Sequence, residues 1–320
     1  MIPIVMSHLT ILKKNEVYLQ IESDPHVFYE LSDQFTFELP GAKFMPQYRK
    51  RYWDGKIRLF NINNGQIYVG LLDKIKKFCE DHDYSYSFVD NEYYGTPFEV
   101  NESISYEGVK DYITSISKYA PREYQIEGVY DALRHNRKLL ISPTASGKSL
   151  MIYSIVRYYV ERGENTLIVV PTTSLVEQMY KDFADYGWDV GSFCHKIYAG
   201  KERETDSQVI ITTWQSIYKL PRKYFKRFSV VIGDEAHQFK SKSLISIMTK
   251  LDHAKYRFGF TGTLDGTQTH KWVLEGLFGP SYKIVGTKDL MTKGHVAKLD
   301  INILLLKHPP QKFETFEDEI

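Results

Sequence analysis

The sequence predicts an α/β fold: a parallel sheet covered by helices over roughly residues 119–290, preceded by a small α+β domain over residues 1–90. Three observations carry this. First, "TLIVV" (166–170), "VIITT" (209–213), "VVIG" (230–233) and "RFGFTG" (257–262) are short runs, mostly apolar and, in the first three, rich in β-branched residues. Such runs suit strands buried on both faces of a parallel sheet. Second, helical patterns alternate with them: "SLMIYSIVRYYVERG" (149–163), "SLVEQMYKDFADYG" (174–187) and "KSLISIMTKLD" (242–252). The first two close on Gly, a stop signal, and strand–helix alternation gives βαβ units with right-handed crossovers. Third, residues 1–90 follow another rhythm. "EVYLQIES", "FTFELP", "KIRLFNI" and "YSYSFVD" alternate like half-exposed strands, while "PHVFYELSDQF" and "GLLDKIKKFCEDHDY" have helical spacing.

Residues 91–118, acidic and rich in tyrosine, are expected to connect the two domains and to hold one short helix. Residues 291–320 are expected to lead out of the second domain. The 320 residues contain 42% hydrophobic and 25% charged residues, enough apolar matter for a real core. No apolar run nears the ~20 residues of a membrane helix, and no secretion leader is visible. The chain's two cysteines, Cys79 and Cys194, give no disulfide framework and no zinc cluster, so a cytoplasmic setting is expected. The net charge of +1 is uninformative, but its distribution is not. Lys43, Arg49, Lys50, Arg51, Lys56 and Arg58 crowd one short segment against a single acid, Asp54. Such a segment can meet a polyanion, Tyr48, Tyr52 and Trp53 adding rings that stack on unpaired bases.

"LLISPTASGKSLMIY" (139–153) places Gly147-Lys148-Ser149 where a strand turns into a helix. This approximates the phosphate-binding pattern G-x-x-x-x-G-K-[ST], with Ser142 at the first glycine and Ala145 within the loop. The loop Pro143-Thr144-Ala145-Ser146-Gly147 would wrap a β-phosphate, with backbone N–H groups donated from Thr144 onward. Lys148 would reach the β/γ oxygens and the Ser149 hydroxyl would bind Mg²⁺. "VVIGDEAHQF" then ends a buried strand on Asp234-Glu235. Two carboxylates there need a cation: Asp234 would hold Mg²⁺ and Glu235 would deprotonate an attacking water. Both elements are expected where two neighbouring strands end.

"PREYQ" (121–125), "PTASGKS", "VVPTTSLVEQ" (169–178), "TTWQS" (212–216), "DEAH" and "TGT" (261–263) fall in one order. That series resembles the motifs of superfamily 2 helicases. The resemblance implies a RecA-like domain, ATP as cofactor and a nucleic-acid track. It implies Arg122 and Gln125 at the adenine, and His237, Thr261 and Thr263 coupling the site to the bound strand. It puts Thr172, Thr173, Thr213 and Trp214 on the nucleic-acid face, where hydroxyls grip phosphates without reading bases. The segment 41–60, around Trp53-Asp54-Gly55, resembles the accessory domain of UvsW-type recombination helicases of T-even phages. That implies a DNA helicase acting on branched DNA. The residues themselves agree: Arg49, Lys50, Arg51, Lys56 and Arg58 can neutralise phosphates and Trp53 can stack on a base. A monomer in the host cytoplasm is expected. Members of superfamily 2 close ATP between two such domains, and the second provides an arginine finger. These 320 residues are expected to hold the first alone, and so to hydrolyse ATP weakly. An RNA helicase, a restriction-type translocase and a DNA-binding module switched by ATP remain alternatives.

Overall fold

The computed structural model describes residues 7–97, 100–200, 205–238, 242–262, 268–294 and 304–305. The N-terminal part opens with β1 (His8–Lys13) and β2 (Tyr18–Glu22), then α1 (Pro25–Gln34), β3 (Thr36–Glu38), α2 (Pro46–Arg49), β4 (Lys56–Arg58), β5 (Gln66–Tyr68), α3 (Leu72–Asp81) and β6 (Ser85–Val89). A four-stranded sheet runs β5-β2-β1-β6, antiparallel except where β1 meets β6, and β3 pairs with β4 in a separate ribbon. Leu9, Ile11, Leu19 and Ile21 point to one face and are fully buried, the alternation of a sheet covered on one side.

Two helices follow, α4 (Tyr106–Ile116) and α5 (Glu123–His135). Ser105 caps α4 by accepting from Gly108 N, and Val109 and Ile113 bury α4 in the same core as α5. The large sheet is then laid down by β7 (Arg137–Ile141), α6 (Lys148–Val160), β8 (Thr166–Val170), α7 (Thr173–Asp185), α8 (Val190–Phe193), β9 (Cys194–Ile197), β10 (Val209–Thr213), α9 (Trp214–Ile217), α10 (Arg222–Phe225), β11 (Val230–Gly233), α11 (Lys242–Lys250), β12 (Tyr256–Thr261), α12 (Gln268–Phe278), β13 (Ser281–Lys283) and α13 (Thr287–Thr292). Its seven strands are all parallel, in the order β13-β7-β12-β11-β8-β10-β9. The sheet has one apolar layer on each face, as both-face burial requires. Among the described residues, no helix is long and apolar enough to cross a membrane.

One layer is continuous with the N-terminal core, and α12 is the seam. Trp272 packs on Phe35 and Phe37 with ring centroids 5.3 and 5.1 Å away. Gly70 lies so close to α12 that a Cβ there would stand 1.9 Å from the Glu275 carbonyl oxygen. Arg257 of β12 is fully buried and donates to the carbonyls of Met248, Leu251 and Leu277. It thereby ties the ends of α11 and α12 to the strand that carries Thr261.

Candidate nucleotide site and nucleic-acid surface

β7, β12 and β11 stand side by side, and three motifs end them. The expectation of two neighbouring strands is corrected: β12 lies between the strand before the Gly-Lys-Ser turn and the strand before the acid pair. The turn from β7 is fastened to β12, since Ser142 N donates to Thr261 O at 2.9 Å. Ala145 and Gly147 take left-handed φ of 65° and 79°, and Gly147 caps α6. A left-handed alanine costs of order 1–2 kcal/mol, so the surroundings must hold the loop in shape. They do so from beneath. Ser142, fully buried, has its hydroxyl 2.6 Å from Ser146 Oγ. The Ser146 carbonyl accepts from the Tyr124 hydroxyl at 2.9 Å and from Gln125 Nε2 at 3.0 Å. Arg122 donates to the Tyr124 hydroxyl at 2.8 Å, and its backbone N–H donates to Gln125 Oε1 at 2.9 Å.

Gln125 thus uses both ends of its amide within the protein. Gly147 is required above it, because a Cβ there would stand 2.3 Å from Gln125 Nε2. Tyr124 is a loop-holding residue that motif reading passed over. Its signal in the sequence is its place within "PREYQ".

Lys148 Nζ reaches across to Glu235 Oε1 at 2.7 Å. Glu235 has a left-handed φ of 52° and donates its N–H to Asp234 Oδ1 at 2.9 Å. Asp234 is 7% exposed. Burial pushes its carboxyl up to about 6, with Lys148 opposing and the Glu235 charge reinforcing the rise. His237 Nδ1 is 3.2 Å from the hydroxyl of fully buried Thr261 and 3.3 Å from Glu235 Oε2. A Cβ placed on Gly262 would stand 3.9 Å from Lys148 Nζ. Lys148, Asp234, Glu235, His237 and Thr261 therefore form one cluster, and Thr263 lies outside the described residues.

This donor set fits magnesium. A carboxylate held above its ordinary range by burial is stabilised by a divalent cation. Among the described residues no group of three or more His, Cys, Asp or Glu could hold a metal. Mg²⁺ commonly takes only one or two protein ligands and completes its shell with phosphate and water. Asp234 is the ligand in place; the Ser149 side chain lies beside Asp182 of α7 and Tyr186, the residue that follows it. Pro143 is half-buried, and Thr144 and Ala145 are exposed at the rim.

The residues expected on the nucleic-acid face divide. Thr172 and Thr173 are exposed; Thr172 caps α7 and its hydroxyl lies 2.9 Å from Ser174 Oγ. Thr213 is buried, its hydroxyl 2.9 Å from Ser216 Oγ. Trp214 is half-buried against Tyr218 and the core. Arg49, Lys50, Arg51, Lys56 and Arg58 are all exposed. Arg58 forks onto Asp54, whose carboxyl it holds down at about 2. The Trp53 indole N–H donates to Lys56 O at 2.9 Å.

Comparison with known proteins gives two family matches. Residues 9–90 match the DNA helicase UvsW N-terminal family, and residues 118–266 match the type III restriction enzyme res subunit family. The chain is 33% identical to the ATP-dependent DNA helicase uvsW of Enterobacteria phage T4, over 95% of its own length and 62% of the relative's. It thus spans a little under two thirds of that relative. It is 30% identical over 64% of its length to the DNA 3'-5' translocase XPB2 of Sulfurisphaera tokodaii, covering 43% of that protein. A crystal structure of the UvsW helicase from bacteriophage T4 superposes with a TM-score of 0.77 at 31% identity, covering 86% of this chain and 99% of that one.

Proposed function

The chain belongs to the UvsW family of superfamily 2 helicases, and from that premise we propose that it is the ATP-binding part of a DNA helicase acting on branched DNA. The single observation that carries the nucleotide reading is the cluster at the ends of β7, β12 and β11. The Lys148 ammonium lies 2.7 Å from Glu235 and beside a buried Asp234. Backbone N–H groups of residues 144–149, at the turn and the α6 N-terminus, meet the phosphates. Lys148 leaves Glu235 for the β/γ oxygens, and Glu235, relieved of its counter-charge, takes the proton of the attacking water at Oε1 or Oε2. Asp234, with Ser149 after a turn of its side chain, would hold Mg²⁺, which supplies charge neutralisation at the phosphates. Gln125 and Tyr124 keep the loop in register; Arg122 closes the adenine side. His237, between Glu235 and Thr261, links the chemistry to β12.

On the DNA side, exposed Arg49, Lys50, Arg51, Lys56, Thr172 and Thr173 meet phosphates. Arg58 does so only after leaving Asp54. Thr213 and Trp214 shape the support beneath that track. Residues 1–90 act as the accessory DNA-binding domain, 91–118 as connector and 119–290 as the first RecA-like domain; the bridge expected over 291–320 lies mostly outside the described residues. The chain acts as a monomer in the host cytoplasm.

ATP turnover measured with forked DNA, continuous duplex and RNA tests this reading. The proposal expects slow turnover from these 320 residues, stimulated most by forked DNA and abolished by Glu235→Gln. Equal stimulation by RNA would overturn the DNA assignment. Turnover unaffected by Glu235→Gln would overturn the catalytic one.

A further inference from the structure

We propose that an open hollow between Tyr48, Tyr52 and Trp53 receives one unpaired nucleobase of the DNA. This rests on the reading of the 43–58 segment as a DNA contact and adds a ligand chemistry to it. The hollow has a volume of about 600 Å³ and is lined by Lys43, Tyr48, Arg49, Arg51, Tyr52, Trp53 and Asp54. That is the size of a small-ligand site.

Its walls are built for a flat ring. Tyr52 is 83% exposed and Tyr48 41%, and neither belongs to either apolar core. Exposed large aromatics gathered in one place mark an interaction site. Trp53 makes a fixed wall through its bond to Lys56 O. Tyr48 is backed by Gly55, where a Cβ would stand 3.1 Å from its ring. Arg51 is held at a left-handed φ of 56°, and Tyr52 N donates to Gln47 O, so the turn is shaped on both sides of the exposed ring. Phe44, 66% exposed with Lys43 Nζ 5.2 Å from its centroid, extends the aromatic surface beside it.

The electrostatics select the rest of the ligand. Asp54, the one acid of the lining, is neutralised by Arg58. Among the described residues, Lys43, Arg49 and Arg51 make no ion pair, which leaves three cations at an aromatic hollow. Rings that stack on bases and cations that follow phosphates are the two parts of a single-strand site. A base inside continuous duplex has no free face to offer. The hollow therefore distinguishes forks, gaps and ends from uninterrupted duplex, which the basic residues alone do not.

The test is fluorescence-anisotropy binding of the 320-residue chain at fixed salt. The probes are a duplex closed at both ends by non-nucleotide linkers, which leaves no unpaired base, a forked duplex with single-stranded arms and a single strand. Tyr52→Ala is expected to weaken the forked and single-stranded probes by roughly 5- to 100-fold and to leave the closed duplex unchanged, with Tyr52→Trp restoring affinity. A 2-aminopurine in the arm next to the fork should be quenched by the wild type and not by Tyr52→Ala. Equal weakening of all three probes, or of none, overturns the hollow. Arg49→Ala/Lys50→Ala separates this from the underlying reading: it should weaken every probe and flatten the salt dependence. If it does while Tyr52→Ala is silent, only the hollow fails; if both are silent, the DNA assignment of the segment fails as well.

Discussion

Asp234→Asn should make the protein more stable at neutral pH while removing magnesium-dependent nucleotide binding. The Asp234 carboxyl is raised from 3.8 to about 6, first by burial. An acid whose folded value lies above its unfolded one binds more protons in the native state between the two values. Stability therefore falls as pH rises from about 4 to about 6, and the loss is complete above that. The gap is about two pH units, and each is worth about 1.4 kcal/mol, so ionised Asp234 costs the fold about 3 kcal/mol at pH 7. Asparagine mimics the protonated acid and keeps an oxygen for the Glu235 N–H, now 2.9 Å from Asp234 Oδ1. Urea unfolding at pH 5 and pH 7.5 reads the effect. The variant should exceed the wild type by about 3 kcal/mol at pH 7.5 and by clearly less at pH 5. Magnesium nucleotide should raise the wild-type midpoint and leave that of the variant unmoved. A variant equal to or weaker than the wild type at pH 7.5 refutes the claim that this carboxylate waits, buried, for a cation.

Other contacts give further tests. Tyr124→Phe removes the hydroxyl between Arg122 and the Ser146 carbonyl; nucleotide affinity should fall about fivefold, the equivalent of ~1 kcal/mol, and unchanged affinity in a fluorescent-nucleotide titration would count against it. Gly147→Ala forces Gln125 Nε2 away from a 2.3 Å contact and strains a left-handed turn, so it should lose at least tenfold in the same titration. Gly70→Ala drives a methyl into the α12 backbone and should cost ~1–3 kcal/mol; an unaltered urea midpoint would show that this seam yields freely.

The large sheet was legible because its strands are apolar on both sides: β8, β10 and β11 coincide with "TLIVV", "VIITT" and "VVIG". Short elements at the sheet's edges, β9 and β13, carry too few residues for any period. β1 lies at the centre of the small sheet and was passed over. Its inward face includes Lys13, polar in sequence yet buried in an ion pair with Glu16. α5 and α12 escaped notice as helices, the first because "PREYQ" was read as a motif. Within the candidate site, the identities of Lys148, Asp234 and Glu235 could be read from spacing. That the lysine turn and the acid pair face one another is expected from the motifs; that β12 stands between their strands is not, because nothing in a linear pattern gives the strand order. The tether from Tyr124 and Gln125 to the loop is likewise tertiary. Burial of Thr213 shows the reverse limit, since a motif position can sit on the expected strand end with its hydroxyl already committed to a neighbour.

The most direct measurement is calorimetric titration of the chain with a non-hydrolysable ATP analogue and magnesium, beside Lys148→Ala. Saturable, magnesium-dependent binding by the wild type, lost in the variant, is the predicted result. Equal binding by both proteins, or none by the wild type at any magnesium concentration, would contradict the placement of a triphosphate between Lys148 and the Asp234–Glu235 pair.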